Sequence, residues 1–276
     1  MKEMTTREVQ LVSLDILKDV HEFCVKNKIR YSLSGGTLLG AIRHNGFIPW
    51  DDDIDIQMPR PDYDKFIHTY NSKKGYAVYS RELSGFDKKK MTYAWGRVCD
   101  TRNTYVDTGI RPWIHEDVGV WIDVLPCDGM PSDPREADEH LKRIAGLVLQ
   151  GGRLGIKYAA WSNILKNISI KDKIIYAIKK VCFLFYNVNP FDDLFKAKKK
   201  YGYLESEYFF AIPHYGMKEW QPKTYMESFE LHKFEDYEFY IMSGWNANLK
   251  TLYGNYMQLP PLDKRERHDF NRYYWK

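Results

Sequence analysis

Ser34-Gly-Gly-Thr-Leu-Leu-Gly-Ala-Ile-Arg-His-Asn-Gly-Phe-Ile-Pro-Trp-Asp-Asp-Asp-Ile-Asp-Ile56 is the stretch on which the reading of this chain turns. Its last four residues, Asp53 to Ile56, alternate polar and apolar, as a half-buried strand does. In such a strand Asp53 and Asp55 share a face, with Cα atoms about 6.6 Å apart. Ile54 and Ile56 point the other way, into a core. Two carboxylates roughly 7 Å apart repel by about 2 kcal/mol at an effective dielectric near 20. A cation relieves that repulsion, and hard oxygen donors point to Mg²⁺ or Mn²⁺. Upstream, Gly35 and Gly36 open a short helix over Thr37–Ile42. A glycine turn at a helix N-terminus offers backbone N–H groups to a phosphate. Phosphate cradle and metal-binding acids together are the equipment of phosphoryl-type transfer.

Working outward, residues 5–26 read as an amphipathic helix, with capping-box spacing at Thr5 and Glu8 and a stripe of Leu11, Leu14, Leu17 and Val20. Ile29, Tyr31 and Leu33 alternate as a short strand leading into the glycine turn. After the acids, Pro59 and Pro61 end the strand, and Asp62 caps a helix over Tyr63–Tyr70. Tyr76–Tyr79, Met91–Val98 and Val118–Leu125 are further strands, the last stopped by Pro126 and a Cys127-Asp128-Gly129 turn. Beyond Pro134 the pattern turns helical: Arg135–Gln150, Lys171–Tyr186 and 192–201. Phe234–Met242 reads as one strand, and Trp245–Tyr253 as a helix ended by Gly254. The expected fold is α/β (α+β): a small mixed sheet in a catalytic core over 1–133, then a mainly helical acceptor- or substrate-binding part over 134–276, packed on that core.

Bulk properties narrow the function. Hydrophobic residues make up 44% and charged residues 28% of 276, ordinary for a folded globular chain. The balance of 41 Lys+Arg against 37 Asp+Glu is too even for duplex nucleic acid, which needs a concentrated basic face. The scattered Cys24, Cys99, Cys127 and Cys182 offer no C-x-x-C pair, which argues against a disulfide framework or structural zinc. The start MKEMTTREVQ has no apolar h-region, and the densest apolar run, Val181 to Tyr186, is too short to span a bilayer. A cytoplasmic protein is expected. Lys171–Tyr186 mixes lysines with Ile174, Ile175, Ile178 and Val181, a pattern suited to peripheral contact with the inner face of the plasma membrane or to packing on the sheet.

Asp123 is a lone acid in the apolar strand Val120-Trp-Ile-Asp-Val-Leu125. Two readings of it stand at this point: a strand-end acid solvated or paired with an arginine, or a third metal ligand beside Asp53 and Asp55.

The quoted stretch resembles the signature of the LicD family, and Leu252-Tyr-Gly-Asn-Tyr-Met-Gln-Leu-Pro-Pro261 is similar to that family's C-terminal motif. The resemblance implies a nucleotidyltransferase-like fold. It also implies transfer of phosphocholine from CDP-choline to a sugar hydroxyl of a cell-surface glycan precursor (teichoic acid or lipopolysaccharide, lipid-linked or oligosaccharide), with CMP released. Relatives in the fukutin-related group use CDP-ribitol. By the same resemblance Gly35 and Gly36 are the superfamily's glycine turn, Asp53 and Asp55 its metal pair, and Asp123 its third acid. The catalytic and metal-binding set expected is therefore Asp53, Asp55 and Asp123. Thr37 joins the glycines as a phosphate contact.

Arg43 and His44 are candidates for phosphate or leaving-group contact, and equally for a solvated loop pair. Asp51 is expected to tune the metal from behind, or with Asp52 to cap the loop. Choline has no N–H to donate, so its recognition falls to aromatic faces and carboxylates. Trp50, Tyr93, Trp95, Tyr105, Trp113 and Trp121 are candidates, with Tyr253, Tyr256 and Pro260-Pro261 as a possible rim. Core packing competes for each. Two rival functions share the acids: a true nucleotidyltransferase, or a non-catalytic Ca²⁺-holding module, against which the lack of an EF-hand ligand pattern counts.

Overall fold

A computed structural model describes residues 1–83, 93–107, 118–158, 161, 169–185, 189–261, 265 and 271–276. The first helix, α1 (Thr6–Asn27), begins with the capping box as read: Thr5 and Glu8 satisfy each other's backbone N–H groups. Its buried face is Val9, Ser13, Ile16, Leu17, Val20 and Cys24, whereas Leu11 is 45% exposed. Successive residues turn by about 100°, so Leu11 lies on the far side from Ser13 and Val20.

A mixed sheet carries Asp55 and Asp123; its acidic strand begins at Asp55, so Asp53 and Ile54, read as strand from the sequence, lie just before it. Its strands are β2 (Ser32–Leu33), β3 (Asp55–Pro59), β4 (Tyr76–Tyr79), β5 (Gly96–Asp100) and β7 (Trp121–Met130), in the order β2-β3-β7-β5-β4. The pair β3 and β7 is parallel, with Asp55 opposite Asp123; the other pairs are antiparallel. The helices α2 (Gly35–His44) and α3 (Arg60–Thr69) precede and follow β3.

Several elements depart from the sequence reading. The strand expected over Met91–Val98 is Gly96–Asp100, and Met91 lies outside the described residues. Strand β7 does not stop at Pro126. That proline falls where one partner gives way to the next. β5 pairs with β7 from Trp121 to Val124, and β8 (Tyr208–Phe210) takes over at Asp128–Met130. Between them Leu125, Pro126 and Cys127 pair only with β3, so the missing N–H breaks no ladder on the open side. Asp62 does not cap α3, whose N-cap is Pro59. Its carboxylate instead accepts the backbone N–H and the guanidinium of Arg30, at 2.6–2.9 Å.

The later chain supplies α4 (Pro134–Tyr158), α5 (Ile170–Leu184) and α6 (Phe191–Lys198), then β8 and β9 (Gln221–Pro222). Phe234–Met242 is not one strand. It is the turn and second arm of a hairpin, β10 (Phe229–Phe234) and β11 (Tyr237–Met242). Glu235 takes the left-handed turn position at φ 60°. Its carboxylate accepts from Arg7 at 2.6 Å and from the Phe47 N–H at 3.1 Å, which holds a residue that glycine or asparagine ordinarily fills. The hairpin docks beside β2, where the Met242 N–H donates to Ser32 Oγ at 2.9 Å. Helix α7 (Trp245–Tyr253) ends at Gly254, φ 66°, as read. Finally β12 (Arg272–Trp275) lies between β1 (Lys2–Glu3) and β6 (Thr104–Asp107).

One hydrophobic cluster joins α1, the sheet, the hairpin and Leu249 of α7; a second joins α4, α6 and Phe210. Residues after 134 thus bury side chains in the same core as the acidic strand. Arg60, at the start of α3, fastens the far end of β7 by gripping Asp128 at 2.5 and 2.8 Å and Glu82 at 3.0 Å.

Candidate active site

Strand β2 ends at Leu33, and the chain turns through Ser34 into α2. Gly35 takes φ +52°, a conformation that an L side chain strains to adopt. Ser34 is the N-cap but makes no capping bond; its hydroxyl donates to Gln57 Oε1 at 3.2 Å instead. The first-turn N–H groups of α2 therefore have no side-chain cap, the state in which a helix end attracts an anion. The Asp55 N–H donates to Thr37 Oγ1 at 2.9 Å and the Ser34 N–H to the Asp55 carbonyl at 3.0 Å. Helix end and acid strand are thereby locked together. Thr37 is buried and spent on this clasp, not aimed at the cavity.

A cavity of about 500 Å³ opens beside this junction. Asp51, Asp53 and Asp55 form one wall, with Gly36 at their foot. A Cβ on Gly36 would sit 2.9 Å from Asp51 Oδ2, so the lack of a side chain there lets the acid approach the helix end. Arg43, Trp50, Tyr215, Tyr253, Tyr256 and Arg265 complete the lining, with the Tyr253 hydroxyl and Asp55 both close to Gly35. Arg43 donates to the Tyr256 carbonyl at 2.8 Å. Burial lowers the Arg43 pKa, and the like charge of Arg265 adds to the effect. The Arg265 guanidinium lies 4.2 Å from the centre of the Trp50 ring. Burial pushes the Tyr253 phenol up, helped by the charge of Asp55.

Not every candidate reaches the cavity. His44 ends α2 and meets Trp50 edge-on at 6.5 Å, outside the lining; burial, then Arg43, lowers its pKa. Among the other aromatics, Trp121 and Tyr93 flank Arg97, at 4.3 and 3.5 Å, and Tyr105 pairs across β12 with Tyr274. Trp95 packs against Tyr93 and His214. These four are packing residues, and Trp113 lies outside the described residues. The sequence reading missed Tyr215, Asn255, Gln258 and Arg265 in the lining. Asn255 and Gln258 sit inside the Leu252–Pro261 motif without being singled out there, whereas Tyr215, in the Pro213–Glu219 turn before α7, and Arg265, after it, are remote in sequence from the acids.

Asp123 stands one strand across from Asp55 in matched register, so the two carboxylates rise on the same side of the sheet. Arg97 of β5, in register on the other side, donates Nε to Asp123 Oδ1 at 2.5 Å and a second nitrogen to Oδ2 at 3.4 Å. Burial opposes the charge on Arg97, but Asp123 beside it outweighs that and holds the guanidinium pKa above its usual value. Asp123 does not line the cavity. Among the described residues no three His, Cys, Asp or Glu side chains come close enough to share one ion. Asp53 and Asp55 are hard donors on the wall of a cavity large enough for a diphosphate. Mg²⁺ is commonly held in this way, by one or two carboxylates completed by substrate oxygens and water. The residues present fit such an ion.

Behind Gly35 lies a second, much smaller space of about 20 Å³, lined by Ser34, Gly35, Gln57, Tyr215, Glu219 and Asn248 among others. Burial pushes the Glu219 carboxyl up to about 7, although the N–H groups of Ile212 and Ala211 work against the rise.

Comparison with known proteins adds a second line of observation. A family model described as LicD/FKTN/FKRP, nucleotidyltransferase domain, matches residues 28–124. The chain is 31% identical over 281 residues to the lipopolysaccharide cholinephosphotransferase LicD of Haemophilus influenzae, spanning 99% of each. A shorter match, 38% identical over 73 residues, is to an uncharacterized protein of Rickettsia prowazekii, covering 23% of this chain and 27% of that one. The human ribitol 5-phosphate transferase FKRP is 61% identical over 28 residues, 10% of this chain and 6% of its own.

Proposed function

The chain belongs to the LicD family, and from that premise we propose that it transfers phosphocholine from CDP-choline to a sugar hydroxyl of a cell-surface glycan precursor, releasing CMP. The observation that carries the reading is the cavity itself. Acids and an uncapped helix end make up one part of its lining, and an aromatic face that already accepts a cation makes up another. A zwitterionic phosphoalcohol on a nucleoside diphosphate has matching parts: phosphates for the first and a quaternary ammonium for the second. The acceptor is a sugar of lipopolysaccharide or teichoic acid type; the lipopolysaccharide class is the one named for the Haemophilus relative.

In this reading Asp53 and Asp55 hold a divalent cation, Mg²⁺ or Mn²⁺, with Asp123 as the third acid of the set. The ion, when bound, offsets the charge that gathers on the departing CMP. Gly35 and Gly36 expose the first N–H groups of α2 to a phosphate oxygen. Arg43, fixed by the Tyr256 carbonyl, adds positive charge on the cavity side of the same helix. His44 braces Trp50 from its edge. The ammonium of choline takes the Trp50 face where Arg265 now stacks, and Tyr253 closes the wall beside Asp55. The acceptor oxygen forms its bond to the choline-bearing phosphorus as the bond to the CMP oxygen breaks. Arg97 fixes Asp123 through Oδ1. Both Asp123 oxygens are paired with Arg97 and Asp123 stays outside the cavity lining, so it acts from behind Asp55, and the hydroxyl proton leaves with solvent.

The test is a donor panel of CDP-choline, CDP-ethanolamine, CDP-ribitol and CDP-glycerol with Mg²⁺ and a lipid-linked glycan. CMP should form with CDP-choline and fall roughly 10³-fold or more in Asp55→Asn, since the metal's contribution is several kcal/mol. CMP from CDP-ribitol alone would move the protein to the ribitol branch of the family. Pyrophosphate release from CTP, without CMP, would make it a nucleotidyltransferase.

A further inference from the structure

Helix α5 leaves an apolar face uncovered. Ile170, Ile174, Ile178, Val181 and Phe185 are 76%, 56%, 59%, 48% and 83% exposed. At about 100° per residue these five fall within an arc of roughly 80°, a single stripe along the helix. The stripe is not the face that packs. Lys180, buried, and Tyr176 and Phe183, half-buried, lie on the opposite side, and Lys180 Nζ donates to the Lys157 carbonyl of α4 at 2.9 Å. The helix is therefore seated on α4 by one side and turns its isoleucines outward. Large side chains exposed in a row mark an interaction surface, unlike scattered single ones.

The charges on the helix choose the partner. Lys171 and Lys173 border the stripe on its two edges, and Lys179 is exposed further round. The one acid on the helix, Asp172, lies away from the stripe and is engaged with the Ser169 hydroxyl at 2.6 Å as part of the N-terminal cap. Lysines flanking an apolar ridge can lay their stems along it and lift their ammonium groups to a layer of anionic headgroups. A parallel pairing with an identical stripe would instead bring these lysines against lysines. Among the described residues no helix is long and apolar enough to cross a membrane, so contact of this kind would be in the plane of the surface.

We propose that the Ile170–Ile174–Ile178–Val181–Phe185 stripe of α5 docks this protein on an anionic lipid bilayer, lying in the headgroup layer with Lys171 and Lys173 at its margins. This is independent of the chemistry assigned to the cavity, because binding is read without turnover. The experiment is flotation of the intact protein with phosphatidylcholine vesicles, with and without about one-third phosphatidylglycerol, a composition chosen to supply surface charge. Binding is expected to the anionic vesicles, weakening as salt is raised. Ile174→Glu/Ile178→Glu should lower partitioning by about a hundredfold, each buried isoleucine being worth roughly a tenfold factor. Both positions are exposed, so the circular dichroism spectrum and melting temperature should hold. Lys171→Glu/Lys173→Glu should remove the preference for anionic lipid and keep the fold. Failure of the intact protein to bind either vesicle overturns the proposal. So does unchanged binding by Ile174→Glu/Ile178→Glu, or a variant that merely dissolves a dimer, which would give the stripe to a second copy of the chain.

Discussion

Asp123→Asn should destabilise the protein as well as silence it. The substitution leaves Arg97, 6% exposed, without its counter-charge. Breaking a buried ion pair from one side costs about 3–5 kcal/mol, because the remaining charge stays desolvated. The flanking rings of Tyr93 and Trp121 return at most about 2 kcal/mol, and they do so in the parent as well, so they cannot compensate. Asparagine keeps one acceptor, which places the loss near the lower end. At roughly 2–4 °C per kcal/mol for a chain of this size, the melting temperature should fall by about 10 °C. The companion variant Arg97→Met/Asp123→Leu removes both charges and should melt within a few degrees of the parent, since apolar replacement of a buried pair is commonly neutral or better. Thermal unfolding and urea midpoints of the two single variants and the double variant give the coupling, and CMP release gives the activity. All three variants should be inactive, so stability and turnover separate in the double. An Asp123→Asn protein that melts with the parent would refute the counter-charge role and leave Asp123 acting on substrate or metal alone.

Three further outcomes follow from the site. Gly36→Ala should fold, since alanine suits a helix, yet lose about 10²-fold in turnover because its Cβ displaces Asp51 by a fraction of an ångström or more; steady-state rates beside a melting curve check this. Trp50→Leu should raise KM for CDP-choline by roughly 3- to 30-fold and leave that for CDP-glycerol unchanged, the range that a cation–π contact spans. Glu219, whose folded pKa is raised to about 7 from 4.5, binds more protons folded than unfolded between those values. Its contribution is thus complete below about pH 4.5 and is lost as pH rises towards and through 7. Glu219→Gln should flatten that slope and gain of order 3 kcal/mol at pH 8 relative to the parent, read from urea midpoints across pH.

What the sequence made legible was local. Thr5 and Glu8 are three residues apart and cap each other, and Gly254 ends α7 with a backbone that few other residues adopt. The glycine turn is legible because a helix N-terminus is written in neighbouring residues, while alternation puts the acid strand two residues early, at Asp53 instead of Asp55. The parts that escaped depend on remote partners. Pro126 reads as a stop until it is known that β5 leaves β7 one residue short of Leu125 and β8 arrives at Asp128. The turn at Glu235 carries none of the usual glycine or asparagine, because Arg7 and Phe47, far upstream, hold it. At the site, spacing singles out Asp53 and Asp55, both of which line the cavity, whereas it leaves the partner of Asp123 open between metal and arginine. Arg97 is one strand away but distant in sequence, and no spacing rule names it. The same holds for Tyr215, which comes from the turn before β9, and for Arg265, which follows α7.

The pairing of β12 between β1 and β6 bears on how the molecule is made. Lys2 finds its backbone partner in Trp275, and Met4 donates to the Tyr273 carbonyl at 2.8 Å. Lys2 and Trp275 stand 273 residues apart in sequence, so this pairing joins distant parts of the chain. Contacts of such long sequence separation are the slow step of folding. Strand β12, bonded along both edges, therefore takes the ladder from both β1 and β6 when it lets go.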